Sequence, residues 1–140
     1  MLKNLPYLNS GIIIGIILFQ SIFIAPAINQ LINTNEAAIF LRYIWPKFFL
    51  IIGFISIISL ISVLKYKIQK SSLNIYIIIS FVLMLSCFIS VPFINNAKDV
   101  NNEFLWSILH MKTVLFTLIT LILNILIVFR WNFISNETIK

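Results

Sequence analysis

Four long apolar runs, at about residues 10–31, 46–64, 73–94 and 105–129, leave this chain few ways to fold. A helix rises about 1.5 Å per residue, so each run is long enough to cross the ~30 Å hydrocarbon layer of a bilayer. Strands fit poorly, because a membrane barrel needs segments of about ten residues that alternate apolar and polar. Gly11 to Phe19 is apolar on every side, and Leu50 to Leu64 has only Ser56, Ser59 and Ser62 in an otherwise apolar run, without that alternation. Only 10% of the 140 residues are charged and 61% are hydrophobic. A water-soluble globule this short exposes most of its residues, and the polar ones here are too few to cover it. The expected fold is an all-α integral membrane protein, residues 1–140 forming one membrane domain with four transmembrane helices in an up-down bundle.

The formal net charge is +6. The basic residues stand singly or in one short loop, so they read as topology signals, and no nucleic-acid partner is expected. Lys3, Lys65, Lys67, Lys70, Arg130 and Lys140 fall on one side of the membrane. Arg42, Lys47, Lys98 and Lys112 fall on the other, where Glu36, Asp99 and Glu103 offset them. The bias places both termini in the cytoplasm and the protein in the bacterial inner membrane. The first span ends Ala25-Pro26-Ala27, a small-x-small pattern that mimics a signal-peptide cleavage site. Its apolar stretch continues through Ile28, Leu31 and Ile32, so we expect it to be retained as a full span.

Trp45, Trp106 and Trp131 fall at predicted helix ends, where an indole can sit among headgroups. Glu36 to Tyr43 mixes Ala37, Ala38, Leu41 and Tyr43 with Arg42. It reads as a short interfacial helix, separate from the second span and capped by Thr34 or Asn35. Pro46 is then expected to open the second span. Pro26 and Pro92 are expected to interrupt the first and third spans and shape the bundle. Gly11 and Gly15 form a small-xxx-small face. It is expected to pack against another helix of the same chain, with pairing of two copies as the alternative.

The fourth span carries the clearest polar pattern. His110, Thr113, Thr117, Thr120 and Asn124 are spaced 3, 4, 3 and 4 residues apart, which places them on one helical face. A hydroxyl or amide facing hydrocarbon is unfavourable, so this stripe should turn into the bundle. Expected partners are Gln20 and Asn29 on the first span, Ser56, Ser59 and Ser62 on the second, and Ser86 and Ser90 on the third. Because helices alternate direction, Pro26, Arg42, Trp45-Pro46-Lys47, Pro92, Asp99, Glu103, His110 and Lys112 gather at one membrane face. A binding site is expected to open there, with Arg42, Lys47, His110, Lys112, Thr113, Thr117, Thr120 and Asn124 as its ligand-binding residues. Its positive edge would suit a small anion or a lipid headgroup.

Other chemistry finds little support. His110 is the only histidine, so bis-histidine haem ligation within one chain is impossible. The sequence has no Cys-x-x-Cys, no His-x-x-x-His and no Gly-x-Ser-x-Gly, and no carboxylate pair lies within a span. Cys87 lies inside an apolar stretch and reads as a small packing residue. Glu103 and His110, two turns apart, give a faint acid-base pairing. No metal, cofactor or catalytic residue is expected; the partner expected is the lipid bilayer and, on the alternative reading of the Gly11 and Gly15 face, a second copy.

Gly15-Ile-Ile-Leu-Phe19, Phe23-Ile-Ala25-Pro26, Ala37 with Ala38, Ile44-Trp45-Pro46-Lys47-Phe48-Phe49, and Phe104 to Leu109 followed by His110 together resemble a family. It comprises small bacterial membrane proteins similar to eukaryotic transmembrane protein 205, and the likeness runs through all four spans. The resemblance implies a four-helix membrane protein and implies no biochemical activity. In the family pattern a Ser and an Asn follow the fourth-helix His by three and seven residues. Here those positions are Thr113 and Thr117, so the second loses its amide, unless Asn124 replaces it.

The leading expectation is therefore a non-enzymatic bundle that binds a small anion, lipid or other small ligand at its outer face. One alternative is a small redox enzyme resembling the bacterial four-helix protoporphyrinogen oxidases, motivated by His110 and Lys112, although the histidine such enzymes carry on the first helix is missing. The other is a small solute or ion transport component, motivated by the Thr stripe, although paired charges within the spans are absent.

Overall fold

The computed structural model describes residues 2–66 and 71–137. Lys67, Lys70 and Lys140, which enter the charge comparison, lie outside the described residues. After a 3-10 turn at Leu2–Asn4, four helices follow: α1 (Leu5–Leu31), α2 (Thr34–Lys65), α3 (Ser71–Asp99) and α4 (Glu103–Glu137). All four are long and apolar enough to cross a membrane, and among the described residues there is no strand. This is an all-α four-helix membrane protein. Each helix packs on its neighbours in the chain, and α4 closes the ring on α1. The hairpins α1–α2 and α3–α4 meet at one end, called here the hairpin end; the chain's first helix starts at the opposite, terminal end.

Two asparagines make the α3–α4 hairpin tight. Asn101 adopts a left-handed conformation, φ 53°, and donates its N–H to Lys98 O, while Asn102 N–H reaches Ala97 O. These are the paired bonds of a Schellman stop, and asparagine tolerates the left-handed position better than most residues. The Asn102 side chain then accepts from Leu105 N–H and so caps the start of α4. At the other hairpin the Asn33 side chain accepts from Glu36 N–H and starts α2.

That cap corrects two expectations. Asn33, rather than Thr34 or Asn35, opens the helix, and the stretch Glu36 to Tyr43 is not a separate interfacial helix. It is continuous with the second span, so Pro46 lies inside α2 and does not begin it. A proline in a helix forfeits one backbone bond and crowds the preceding turn. Here the bonded turns on both sides outweigh that local cost. Pro92 likewise lies inside α3.

In α1 the proline acts differently. Gln20–Ile24 is a π-helical turn immediately before Pro26, and Ala25 N–H donates to Gln20 O, five residues back. The widened turn makes room for the ring and absorbs the missing N–H. Below it, Ile13 and Ile17 are buried with Phe49, Ile52, Met84 and Cys87 in the main core. Above it, no Cα of Ala25–Leu31 comes within 8 Å of α3 or α4; that segment meets α2 alone.

A second core cluster, Val63, Leu73, Ile77 and Ile127, closes the terminal end, with Tyr76 and Trp131 against it. Gly11 and Gly15 do not pack within the chain as expected. A methyl group added at either would meet nothing within 4 Å, because this face of α1 points away from α2 and α4.

Candidate functional site

The residues of the fourth-span stripe turn into the bundle. Thr113, Thr120 and Asn124 are buried, and His110 and Thr117 are half-buried. Their hydrogen bonds run mainly along their own helix. Thr113 Oγ1 donates to His110 O, Thr117 Oγ1 to Thr113 O, and Asn124 Nδ2 to Thr120 O. A threonine in a helix can satisfy its hydroxyl on the preceding turn, so the stripe needs few partners on other helices. The one it finds is Ser80 on α3, 3.4 Å from Asn124 Nδ2 and outside the expected set. The buried Thr120 Oγ1 has no hydrogen-bond partner.

Other polar contacts join helices. Asn9 Nδ2 on α1 donates to Ser59 Oγ on α2 at 2.9 Å. Lys112 Nζ on α4 donates to Ser90 Oγ on α3 at 2.9 Å and lies over the Phe116 ring. Lys112 is thereby held against α3, while Lys47 lies over the Tyr43 ring on its own helix.

All four helices contribute to a cavity of about 370 Å³ at the hairpin end. Ile28 and Asn29 come from α1, Ile32 is the extended residue just after it, and Ala37, Ala38, Leu41, Arg42, Trp45 and Phe49 come from α2. Val91, Ile94, Asn95 and Lys98 come from α3, and Trp106, His110 and Thr113 from α4. The structure thus brings together Arg42, His110 and Thr113 from the expected ligand-binding set. It leaves Lys47, Lys112, Thr117, Thr120 and Asn124 outside the lining.

Aromatic rings define the cavity's character. The His110 imidazole stacks on the Trp106 indole, with centroids 5.2 Å apart and planes 4° from parallel. It also meets Trp45 edge-on, at 5.9 Å and 64°. Trp45 in turn packs on Phe48 and Phe49 of the core. Trp45, Trp106 and His110 stand in the early turns of α2 and α4, just after the hairpins.

The rim charges are paired. Arg42 donates through both terminal nitrogens to the two carboxylate oxygens of Asp99, tying α2 to α3. Lys98 Nζ lies 2.8 Å from Glu103 Oε1 and above the Trp106 ring. Glu103 is therefore engaged by Lys98 across the hairpin. Asp99 and Glu103 each sit within a few residues of Asn101, so the Schellman turn places both acids beside the cavity.

Sequence reasoning passed over Asn95 and the membrane-anchor role assigned to Trp106 hid its place in the cavity wall. Asn9 and Ser80 were missed as well. The available signal for Asn95 was its position one turn beyond Val91 on the buried face of α3, just before the hairpin. Among the described residues, no group of three His, Cys, Asp or Glu side chains comes together.

Residues 8–103 match the family model described as "Domain of unknown function (DUF4149)". The chain belongs to that family. The match takes in α1, α2 and α3 and ends at the first residue of α4, so it covers three of the four cavity walls and stops short of Trp106 and His110. No curated protein and no solved structure matches the chain.

Proposed function

We propose that this member of the DUF4149 family is a bacterial inner-membrane protein that holds a small amphipathic ligand in the cavity at its hairpin end. The carrying observation is that four helices converge on one space of about 370 Å³ with an apolar floor and a few polar side chains. Small-molecule sites in proteins have this composition and begin at about this size. The reading assigns binding and no reaction. The excess of Lys and Arg toward the terminal end supports cytoplasmic termini, which puts the cavity on the outer side. The likeness to transmembrane protein 205 belongs to this reading too, and it supports architecture without adding an activity.

The test is native mass spectrometry of the full chain released gently from its membrane. A bound small molecule at a constant ratio to protein is expected. Ala38→Trp, which fills the cavity from the α2 side, should remove it while leaving the helical circular dichroism unchanged. Protein free of any bound molecule, or an adduct that survives Ala38→Trp, overturns the proposal.

A further inference from the structure

The walls of this cavity carry information about what fits it. Resting on the binding reading above, we infer that the ligand is a neutral lipid with a planar, carbonyl-bearing ring, of the quinone class, entering sideways from the bilayer. Four observations lead to this chemistry.

The first is charge. Arg42 and Lys98, the cations at the cavity, are each engaged by a carboxylate of the same rim. Both pairs are exposed, and with each charge already matched by a neighbouring carboxylate Arg42 and Lys98 offer an anionic headgroup no unpaired cation, so a neutral head suits the rim better. The second is shape. His110 and Trp106 lie 4° from parallel and form one side of the cavity, with Trp45 set against the histidine. Aromatic surfaces of this kind favour a flat ring, which can lie offset against a π-face or meet its edge.

The third observation is unfilled hydrogen-bonding capacity. No described group hydrogen-bonds to the His110 ring or to the side-chain amides of Asn29 and Asn95, though all three line the cavity. His110 and Asn95 are half-buried, where a donor gains more from an acceptor brought by the ligand than it would in open water, while Asn29 is exposed. Ring carbonyls are such acceptors, and they carry no charge.

The fourth is access. Beyond the π turn, Ala25–Leu31 stands clear of α3 and α4, and only Ile28 is buried among its residues. The cavity is therefore walled on that side by a single short segment, hinged at Gln20–Ile24. A head of ring size occupies the cavity while an isoprenoid or alkyl tail passes beside this segment into lipid.

The experiment uses the full chain in phosphatidylcholine nanodiscs, titrated with a ubiquinone bearing one isoprenoid unit. Two backgrounds are compared: Trp45→Phe with Trp131→Phe, which keeps Trp106, and Trp45→Phe with Trp106→Phe, which keeps Trp131 at the terminal end. Trp106 emission should fall to a plateau near one quinone per protein, while Trp131 emission falls only in proportion to quinone dissolved in the lipid. His110→Ala should raise the half-saturation point about tenfold, the size expected for losing one hydrogen bond. His110→Gln, which keeps an N–H donor, should recover most of that loss. Should His110→Ala unfold the bundle, Asn95→Leu carries the same test.

Proportional quenching of both tryptophans, or a plateau indifferent to His110 and Asn95, overturns the assignment. A native adduct that Ala38→Trp removes, in a protein giving no quinone plateau, overturns the ligand class alone. The absence of both adduct and plateau overturns the cavity reading with it.

Discussion

The two ends of the bundle are built from the same apolar helices and differ in how they are closed. At the terminal end, Val63, Leu73, Ile77 and Ile127 fill the space between α2, α3 and α4. Nearer the middle, Asn9 ties α1 to Ser59, and Asn124 reaches Ser80. At the hairpin end the corresponding space is the cavity, and the helices are joined at the rim by ion pairs instead of across the centre. Membrane helices gain little from hydrophobicity when lipid competes for the same side chains, so close packing and interhelical hydrogen bonds hold the terminal end. The hairpin end gives up that packing and is held by its short connections. One end is a clamp for the other, which is free to form a site.

The comparison breaks first if packing at the two ends is equally costly to remove. Ile77→Ala in the terminal cluster should lose about 2–4 kcal/mol. Ile28→Ala, also buried but beside the cavity, should lose under ~1 kcal/mol because less packed surface surrounds it. Equilibrium unfolding in detergent micelles, followed by circular dichroism, measures both.

Thr120 sharpens the comparison with an opposite sign. Its buried hydroxyl lacks a partner, so the isosteric Thr120→Val should stabilise the protein by about 1 kcal/mol. The same unfolding measurement reads it as a raised midpoint. Asn9→Ala should lose about 0.6 kcal/mol, the average for an interhelical hydrogen bond in a membrane. A double-mutant cycle with Ser59→Ala isolates that term. The smallest effect belongs to Asp99→Asn. Its ion pair with Arg42 is exposed, so the loss should stay below ~0.5 kcal/mol and shrink further in high salt.

How much of this was legible in the sequence follows from which features repeat. The four spans and the inward stripe from His110 to Asn124 announce themselves through length and period, because a helix returns to one face every three to four residues. The convergence of Arg42, Trp45 and His110 at one membrane face follows from alternating helix direction alone. The partner of Asn9 could not be read, since a lone asparagine carries no period and α1 could have turned several ways against α2. For the same reason the small-residue spacing of Gly11 and Gly15 did not reveal that their face is left open. The start of α2 was misplaced because Pro46 is a strong local stop signal, and the cap at Asn33 with the turns beyond it overrode that signal.

The five-residue π turn in α1 carries a consequence for phase. A π turn adds a residue to the helical circuit, so side chains above it are rotated by roughly 100° from where an unbroken helix would put them. An unbroken helix would set Ile28 about 20° from Ile17, eleven residues earlier, so this rotation turns the outer segment off the face that buries Ile13 and Ile17 and toward α2 alone. Removing one residue from Gln20–Ile24 would restore an ordinary α turn and keep Ile28 where it points, whereas one more residue between Ala25 and Ile28 would re-clock the outer third of α1 and strip the cavity of one wall.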